Sequence, residues 1–379
     1  MTIRHHHSTS TEPFTRGRAF GADFASEVGH TVAFYRRVFI EDVGLTDATV
    51  TAAGARVGDW LSDHAPHLLV ELEGLAAGAG QPLNELLAVN ARTELTAGGA
   101  ITTGVRRAAA DRPGECSVLG VLPQASASHG CLLAQNWDYH PDIAPSLALW
   151  TFSLPDGLTV TTLLEAGFLG KIGLNSSGLG CTLNFLSCDE DGGVAGAPVH
   201  ILLRLVLESS GGLVAARRLL HAHPTSGSSC VTLGWCTSGV SEMVGVELSP
   251  RGPRDVRPEA SGTYVHTNHF LEAMKSKDLM LAGPYRDNTL QRRAFLRDAL
   301  GPDADVSRER LQALLRSREY DVCATPDSSA PWSHRYGTLA TIVMDLSARE
   351  LWLADGPPTG SASFELVVRQ SDQTATRTA

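Results

Sequence analysis

The chain has 379 residues, 43% of them hydrophobic and 19% charged, enough apolar material for a large core in one or two domains. Its net charge of -10 and its scattered Lys and Arg exclude a nucleic-acid surface, because phosphate binding needs clustered cations that release counterions. No apolar run approaches the roughly eighteen residues of a membrane span, and the opening Met1-Thr2-Ile3-Arg4-His5-His6-His7 lacks a secretory-type hydrophobic stretch; a cytoplasmic protein binding neither membrane nor nucleic acid is expected.

In chain order, residues 1–18 are Ser/Thr-rich and polar and read as a disordered tail, since three histidines without partner ligands make a poor metal site. From 19 to about 98 the apolar residues recur at helical spacing, as in Phe24, Val28, Val32, Tyr35 and Phe39. Pro66 and Pro82 open two further helical patterns, a position where proline is tolerated. The polar, turn-forming stretch 106–114 suits a linker accessible to cleavage. After Cys116 the pattern changes to short β-type runs at 147–154, 158–165 and 179–186. Helical patterns follow at 198–209 and 212–221, strands at 230–235 and 243–248, helices at 284–300 and 306–318, and strands at 339–345, 350–354 and 364–368. This grouping predicts an α+β fold rather than a βαβ repeat. Residues 371–379 read as a second tail.

The chain has seven cysteines, an odd number with no C-x-x-C pair, which fits a reducing compartment. Six of them read as small buried hydrophobes. Cys116 differs because a turn signal, Arg112-Pro113-Gly114, precedes it and an apolar run, Ser117-Val118-Leu119-Gly120, follows it. A second run, Gly130-Cys131-Leu132-Leu133-Ala134-Gln135, ends in Asn136-Trp137-Asp138-Tyr139. A hairpin of the two runs places the Asp138 carboxylate at the same edge as the Cys116 thiol. A cysteine, a carboxylate and tight turns suggest acyl chemistry. No ligand cluster has metal spacing, and no cofactor is implied.

Four stretches resemble the acyl-coenzyme A:6-aminopenicillanic acid acyltransferase (isopenicillin N acyltransferase) family of autoproteolytic N-terminal-nucleophile cysteine hydrolases. They are Glu115-Cys116-Ser117, Gln135-Asn136-Trp137-Asp138, the run from Glu165-Ala166-Gly167 to Asn175-Ser176-Ser177-Gly178, and His334-Arg335-Tyr336-Gly337-Thr338-Leu339. Leu87-Ala88-Val89-Asn90-Ala91-Arg92-Thr93-Glu94 and Thr267-Asn268-His269-Phe270 add weaker support. The resemblance implies a four-layer αββα sandwich over 116–370, with the helical segment 19–115 as the smaller chain of a self-processed heterodimer, 1–115 and 116–379. It implies Cys116 as nucleophile on an amide or thioester, with water or an amine as acceptor and acyl-coenzyme A only as an acyl donor. It also implies that Asp138 holds the new amino group, that Asn268 is an oxyanion donor, and that Arg335 lowers the thiol pKa and orients Asp138.

Each role has a plainer alternative: a turn cap for Asp138, a satisfied loop amide for Asn268, half of a surface ion pair for Arg335. Glu165 and Asn175 read as turn and scaffold residues. Two positions depart from the family pattern, Glu115 where a small residue is expected and His334 where the best-known relatives have serine. The latter leaves the acceptor contacts, and penicillins as substrates, open. Ser228 and Ser229 are candidates for the pocket wall. Two other functions stand beside the first: a papain-like thiol hydrolase using His200, His266 or His269, and a non-catalytic binding protein on the same fold.

Overall fold

The strands predicted after Cys116 assemble into two sheets that face each other. In a computed structural model, which describes residues 3–102, 116–192, 195–282, 286–301, 305–359 and 363–370, the first sheet has eight strands. In spatial order they are β1 (Arg4–His7), β4 (Leu147–Ser153), β5 (Thr159–Glu165), β6 (Ile172–Asn175), β7 (Leu179–Phe185), β8 (Ser229–Thr237), β9 (Val240–Leu248) and β10 (Arg254–Val256). The second has six, in the order β11 (Thr263–His266), β2 (Ser117–Val121), β3 (Leu132–Tyr139), β12 (Gly337–Asp345), β13 (Glu350–Asp355) and β14 (Glu365–Arg369).

Strand β2 shows why both faces of the second sheet are covered. Its side chains alternate between faces: Val118 joins the main core, whereas Leu119 and Val121 pack with Leu296, Leu300, Leu311, Leu314 and Leu315. Those leucines belong to α9 (Arg286–Leu300) and α10 (Arg308–Leu315), which cover the outer side of the second sheet. Helices α7 (Val199–Leu207) and α8 (Gly212–Ala222) cover the outer side of the first. The layers are therefore α, β, β and α, as expected. Between the sheets the Gln135 amide of β3 donates to the Leu183 carbonyl at 2.6 Å and accepts from the Leu183 N–H at 3.0 Å, so each buried polar group of that amide has a partner.

The stretch predicted to be helical, 19 to about 98, is so: α1 (Pro13–Asp23), α2 (Ala25–Arg37), α3 (Asp47–His64), α4 (Pro66–Ala79), α5 (Leu83–Asn90) and α6 (Arg92–Thr102). Helices α1 and α4 approach so closely that a Cβ on Gly17 would lie 2.0 Å from the Glu71 carbonyl oxygen and one on Gly74 2.1 Å from that of Phe14; only glycine fits there. At this contact the Glu71 carboxylate, fully buried, bridges Arg16 and Arg204, the latter at 2.8 Å. Removing one member of such a network strands buried charge, so Glu71→Ala is expected to cost about 3–5 kcal/mol of stability, measurable as a large fall in the urea midpoint at unchanged slope.

One expectation fails. Residues 3–18 are not a disordered tail: His5-His6-His7 lies in β1, parallel to β4 with His6 opposite Trp150. The Arg4 guanidinium donates to Asp23 and Glu27, and His6 Nδ1 lies 2.9 Å from an Asp23 oxygen. Helix α1 then begins at Pro13, with Glu12 accepting from the Phe14 and Thr15 N–H groups. Local composition carried no sign of this, because the partners that order the segment lie about 140 residues away or on another helix. The linker 106–114, Glu115 and the tail 371–379 lie outside the described residues. Among those described, no helix is long and apolar enough to cross a membrane.

Candidate active site

The nucleophile candidate sits immediately before β2. Strands β2 and β3 are antiparallel with Ser117 opposite Asn136, so one step further along the ladder faces Cys116 with Trp137 and puts Asp138 just beyond. Cys116, Trp137 and Asp138 share the wall of a cleft of about 730 Å³, open mouth included. The opposite sheet contributes Leu183, Phe185 and Ser229, and the helical segment contributes Arg92, Thr93 and Thr96 from α6.

The Cys116 thiol is buried, 7% exposed. Burial, and next the Asp138 carboxylate, push it up to about 11, against the pull of the Asp138 N–H and of Lys171. It is therefore a neutral thiol at pH 7, a poor nucleophile without a base. The Cys116 carbonyl accepts from Asn184 Nδ2 at 2.9 Å and from Arg292 at 3.3 Å.

Asp138 is 3% exposed, and among the described residues neither carboxylate oxygen has a hydrogen-bond partner. The Thr338 hydroxyl, opposite it on β12, lies outside bonding geometry yet favours the charged form, as does the Arg292 guanidinium. Burial outweighs both and pushes the carboxyl up to about 6. A buried carboxylate without a donor is costly, and it stands beside the thiol, where a cation would satisfy it.

Two further side chains reach the wall that sequence reasoning did not select. Lys171 holds Glu165 at 3.1 and 3.2 Å and places its ammonium 3.4 Å from the Trp137 ring centroid, a cation–π contact. Burial pulls its ammonium down to about 7 against the attraction of Glu165. Glu165, read above as a turn residue, ends β5 fully buried and also accepts from the Tyr35 hydroxyl at 2.8 Å. Burial alone would raise its pKa, but Lys171 and Arg92 hold it below the usual range. A lone lysine inside Phe168-Leu169-Gly170-Lys171-Ile172-Gly173 was a usable signal, since a charge in an apolar run needs a buried partner or a task. Arg92 lay inside the Leu87 to Glu94 stretch that resembles the family, but nothing in that stretch set it apart from its neighbours.

Asn175 is scaffold, its amide donating to the Leu207 and Ser209 carbonyls. Asn268 follows β11 and is off the cleft wall. Its Nδ2 donates to the Phe185 carbonyl at 3.0 Å and its Oδ1 accepts from Arg292 at 3.0 Å; the same Arg292 reaches the Cys116 carbonyl. Asn268 is thus linked to Cys116 through one residue, with its amide already committed. The structure does not bring Arg335 to the wall: it is half-buried, Nε donating to the Ala330 carbonyl at 2.9 Å, while its neighbour Tyr336 lines the cleft. Ser229 is on the wall; Ser228 instead bonds Asp191 at 2.5 Å.

Among the described residues, no histidine lines this cleft. His266 pairs with Glu247 at 3.0 Å, His269 bonds Thr289 at 3.0 Å, and His200 lies 3.4 Å from Thr93. Among the described residues no group of three or more His, Cys, Asp or Glu could hold a metal ion.

The sequence profile of the acyl-coenzyme A:6-aminopenicillanic acid acyl-transferase family matches residues 126–359, more than half of the chain. The chain belongs to that family. The matched stretch begins after Cys116 and takes in Asp138, Lys171, Asn268 and Arg335. Over 208 residues the chain is 29% identical to the 40 kDa form of acyl-coenzyme A:6-aminopenicillanic-acid-acyltransferase of Emericella nidulans, covering 54% of this chain and 52% of that one; it spans about half the length of this relative. Solved structures with a looser likeness are a mutant of conjugated bile acid hydrolase from Clostridium perfringens (TM-score 0.45, 14% identity, 66% of this chain and 92% of the other) and penicillin V acylase from Agrobacterium tumefaciens (TM-score 0.42, 12% identity, 66% and 86%).

Proposed function

We propose that this family member is an autoproteolytic cysteine amidohydrolase or acyltransferase acting on a small N-acylated amine or peptide-like compound. The observation that carries the reading is the pair of Cys116, which has no imidazole beside it among the described residues, and the buried Asp138, which has no hydrogen-bond partner among them. Scission before Cys116 resolves both problems at once. The Cys116 sulfur attacks the Glu115 carbonyl, the Glu115–Cys116 amide becomes a thioester, and water hydrolyses it to free Glu115 as a carboxylate and Cys116 as an amine. That amine has an ordinary pKa near 8, suited to taking the thiol proton at neutral pH. As an ammonium it supplies the cation that Asp138 lacks.

In turnover the Cys116 sulfur then attacks a substrate carbonyl, the departing amine receives the proton, and the acyl group waits on sulfur for water or an amine. The developing oxyanion needs fixed donors, each worth about 3–4 kcal/mol. Asn268 fills that role if its amide turns from the Phe185 carbonyl into the cleft. Lys171 takes the electrostatic part that the resemblance gave to Arg335, its ammonium favouring the thiolate of Cys116. Hydrolysis and transfer share the acyl-enzyme and differ only in which acceptor reaches it faster. Incubation of the purified protein with a panel of N-acyl amines, and with acyl-coenzyme A plus an amine, tests the reading. The expected result is amine release or amide formation, with an acyl mass added transiently to Cys116. No acylation of Cys116 by any member of the panel would count against it.

A further inference from the structure

The charges around the cleft do not balance within the protein, and the imbalance names a property of the ligand. Lys171 is paired with Glu165 at 3.1 Å. Asp138, on the reading above, receives the Cys116 ammonium. Arg92 has neither arrangement. It lines the cleft, is only 8% exposed, and has no hydrogen bond or ion pair among the described residues; its Nε is buried without a partner. What holds it is aromatic: its guanidinium carbon lies 4.6 Å from the Tyr139 ring centroid and 5.7 Å from that of Tyr35. Stacking of this kind fixes the plane of a guanidinium while leaving its N–H edge free.

A buried guanidinium with unused donors is costly and is matched by one kind of ligand group. The planar fork pairs with a carboxylate through two parallel hydrogen bonds. A phosphate dianion would call for a second free cation, and the other cation of the wall, Lys171, is engaged with Glu165. We infer that Arg92 is a specificity-determining residue that binds a carboxylate on the substrate, so that the preferred substrates are N-acyl amino acids or similar N-acyl compounds bearing a free carboxylate. The apolar wall of Trp137, Leu183 and Phe185 takes the acyl chain. Arg92 stands before Cys116 in the sequence, so this half of the recognition comes from the helical segment and the scission chemistry from the strands.

This inference rests on the proposed amide substrate, but its test needs no turnover. In the full-length Cys116→Ala protein, binding of N-hexanoylglycine and of N-hexanoylglycinamide is measured by titration calorimetry. The acid is expected to bind at least about tenfold more tightly than the amide, or about 1.4 kcal/mol. Arg92→Gln in the same background removes that preference and leaves amide binding unchanged, which also reports an intact cleft, and Arg92→Lys keeps part of it. Equal affinity for acid and amide, no binding of either, or a preference that survives Arg92→Gln overturns the inference. Because the thiol is absent throughout, any of these results leaves self-cleavage and acyl chemistry untouched, and a chain that never cuts leaves carboxylate binding untouched.

Discussion

Cys116→Ala is expected to leave one uncut chain and to lower any amidase or acyl-transfer rate by at least about 10⁴-fold, the scale seen when a covalent nucleophile is removed. On the proposed mechanism both effects come from one atom, since the sulfur that attacks the Glu115 carbonyl is the sulfur that attacks substrate. The fold should survive: the side chain is small, sits at the end of β2 rather than within it, and alanine removes only a sulfur from a cleft wall. Cys116→Ser separates the two functions, because a hydroxyl can still undergo the acyl shift but is a weaker nucleophile than a thiolate. Slow cutting with little turnover is the expected outcome for serine. Intact mass and a coupled amine-release assay on the three proteins check this together.

Asp138→Asn has the second largest expected effect, and its sign depends on whether the chain is cut. In the uncut chain the carboxyl is raised to about 6 from 3.8, first by burial. A raised carboxyl means the folded chain holds its proton where the unfolded chain has lost it. The resulting destabilisation is absent below about pH 3.8, grows as pH rises to about 6, and is complete above, at about 3 kcal/mol for a shift of this size. In the Cys116→Ala background, then, Asp138→Asn should raise the melting temperature at about pH 7 and not at about pH 3.5. In the cut enzyme of the proposed mechanism the same substitution would strand the buried Cys116 ammonium. Losing one partner of a buried pair costs about 3–5 kcal/mol, which, if expressed in the transition state, is about 10²- to 10⁴-fold in kcat/KM. A stabilising effect before scission and a damaging one after it is a pattern that a turn-capping Asp138 would not produce.

The parts of the fold and site that were legible in the sequence share a physical character. Cys116 and Asp138 could be related to one another because a hairpin fixes which residues face each other, so two short motifs about twenty residues apart define one edge. The helices before Cys116 and most strands after it were readable because their apolar residues repeat with the period of the element that buries them. What escaped notice depended on distant partners. Strand β1 exists because β4 has an edge to offer, which nothing in Arg4-His5-His6-His7 reveals. Lys171 and Arg92 approach the cleft from opposite parts of the chain, and their different states, one paired and one not, follow from where Glu165 falls. Asn268 was found by resemblance, yet that resemblance could not say that its amide is bound to the Phe185 carbonyl, nor that Arg335 turns to Ala330.

On the proposed mechanism, a single backbone scission turns Cys116 into an amino-terminal nucleophile facing Asp138. N-terminal sequencing of a preparation with demonstrated acyl-transfer or amidase activity tests it most directly. Two polypeptides are expected, one of which starts Cys-Ser-Val-Leu-Gly. An active preparation in which no polypeptide starts at Cys116 would contradict it.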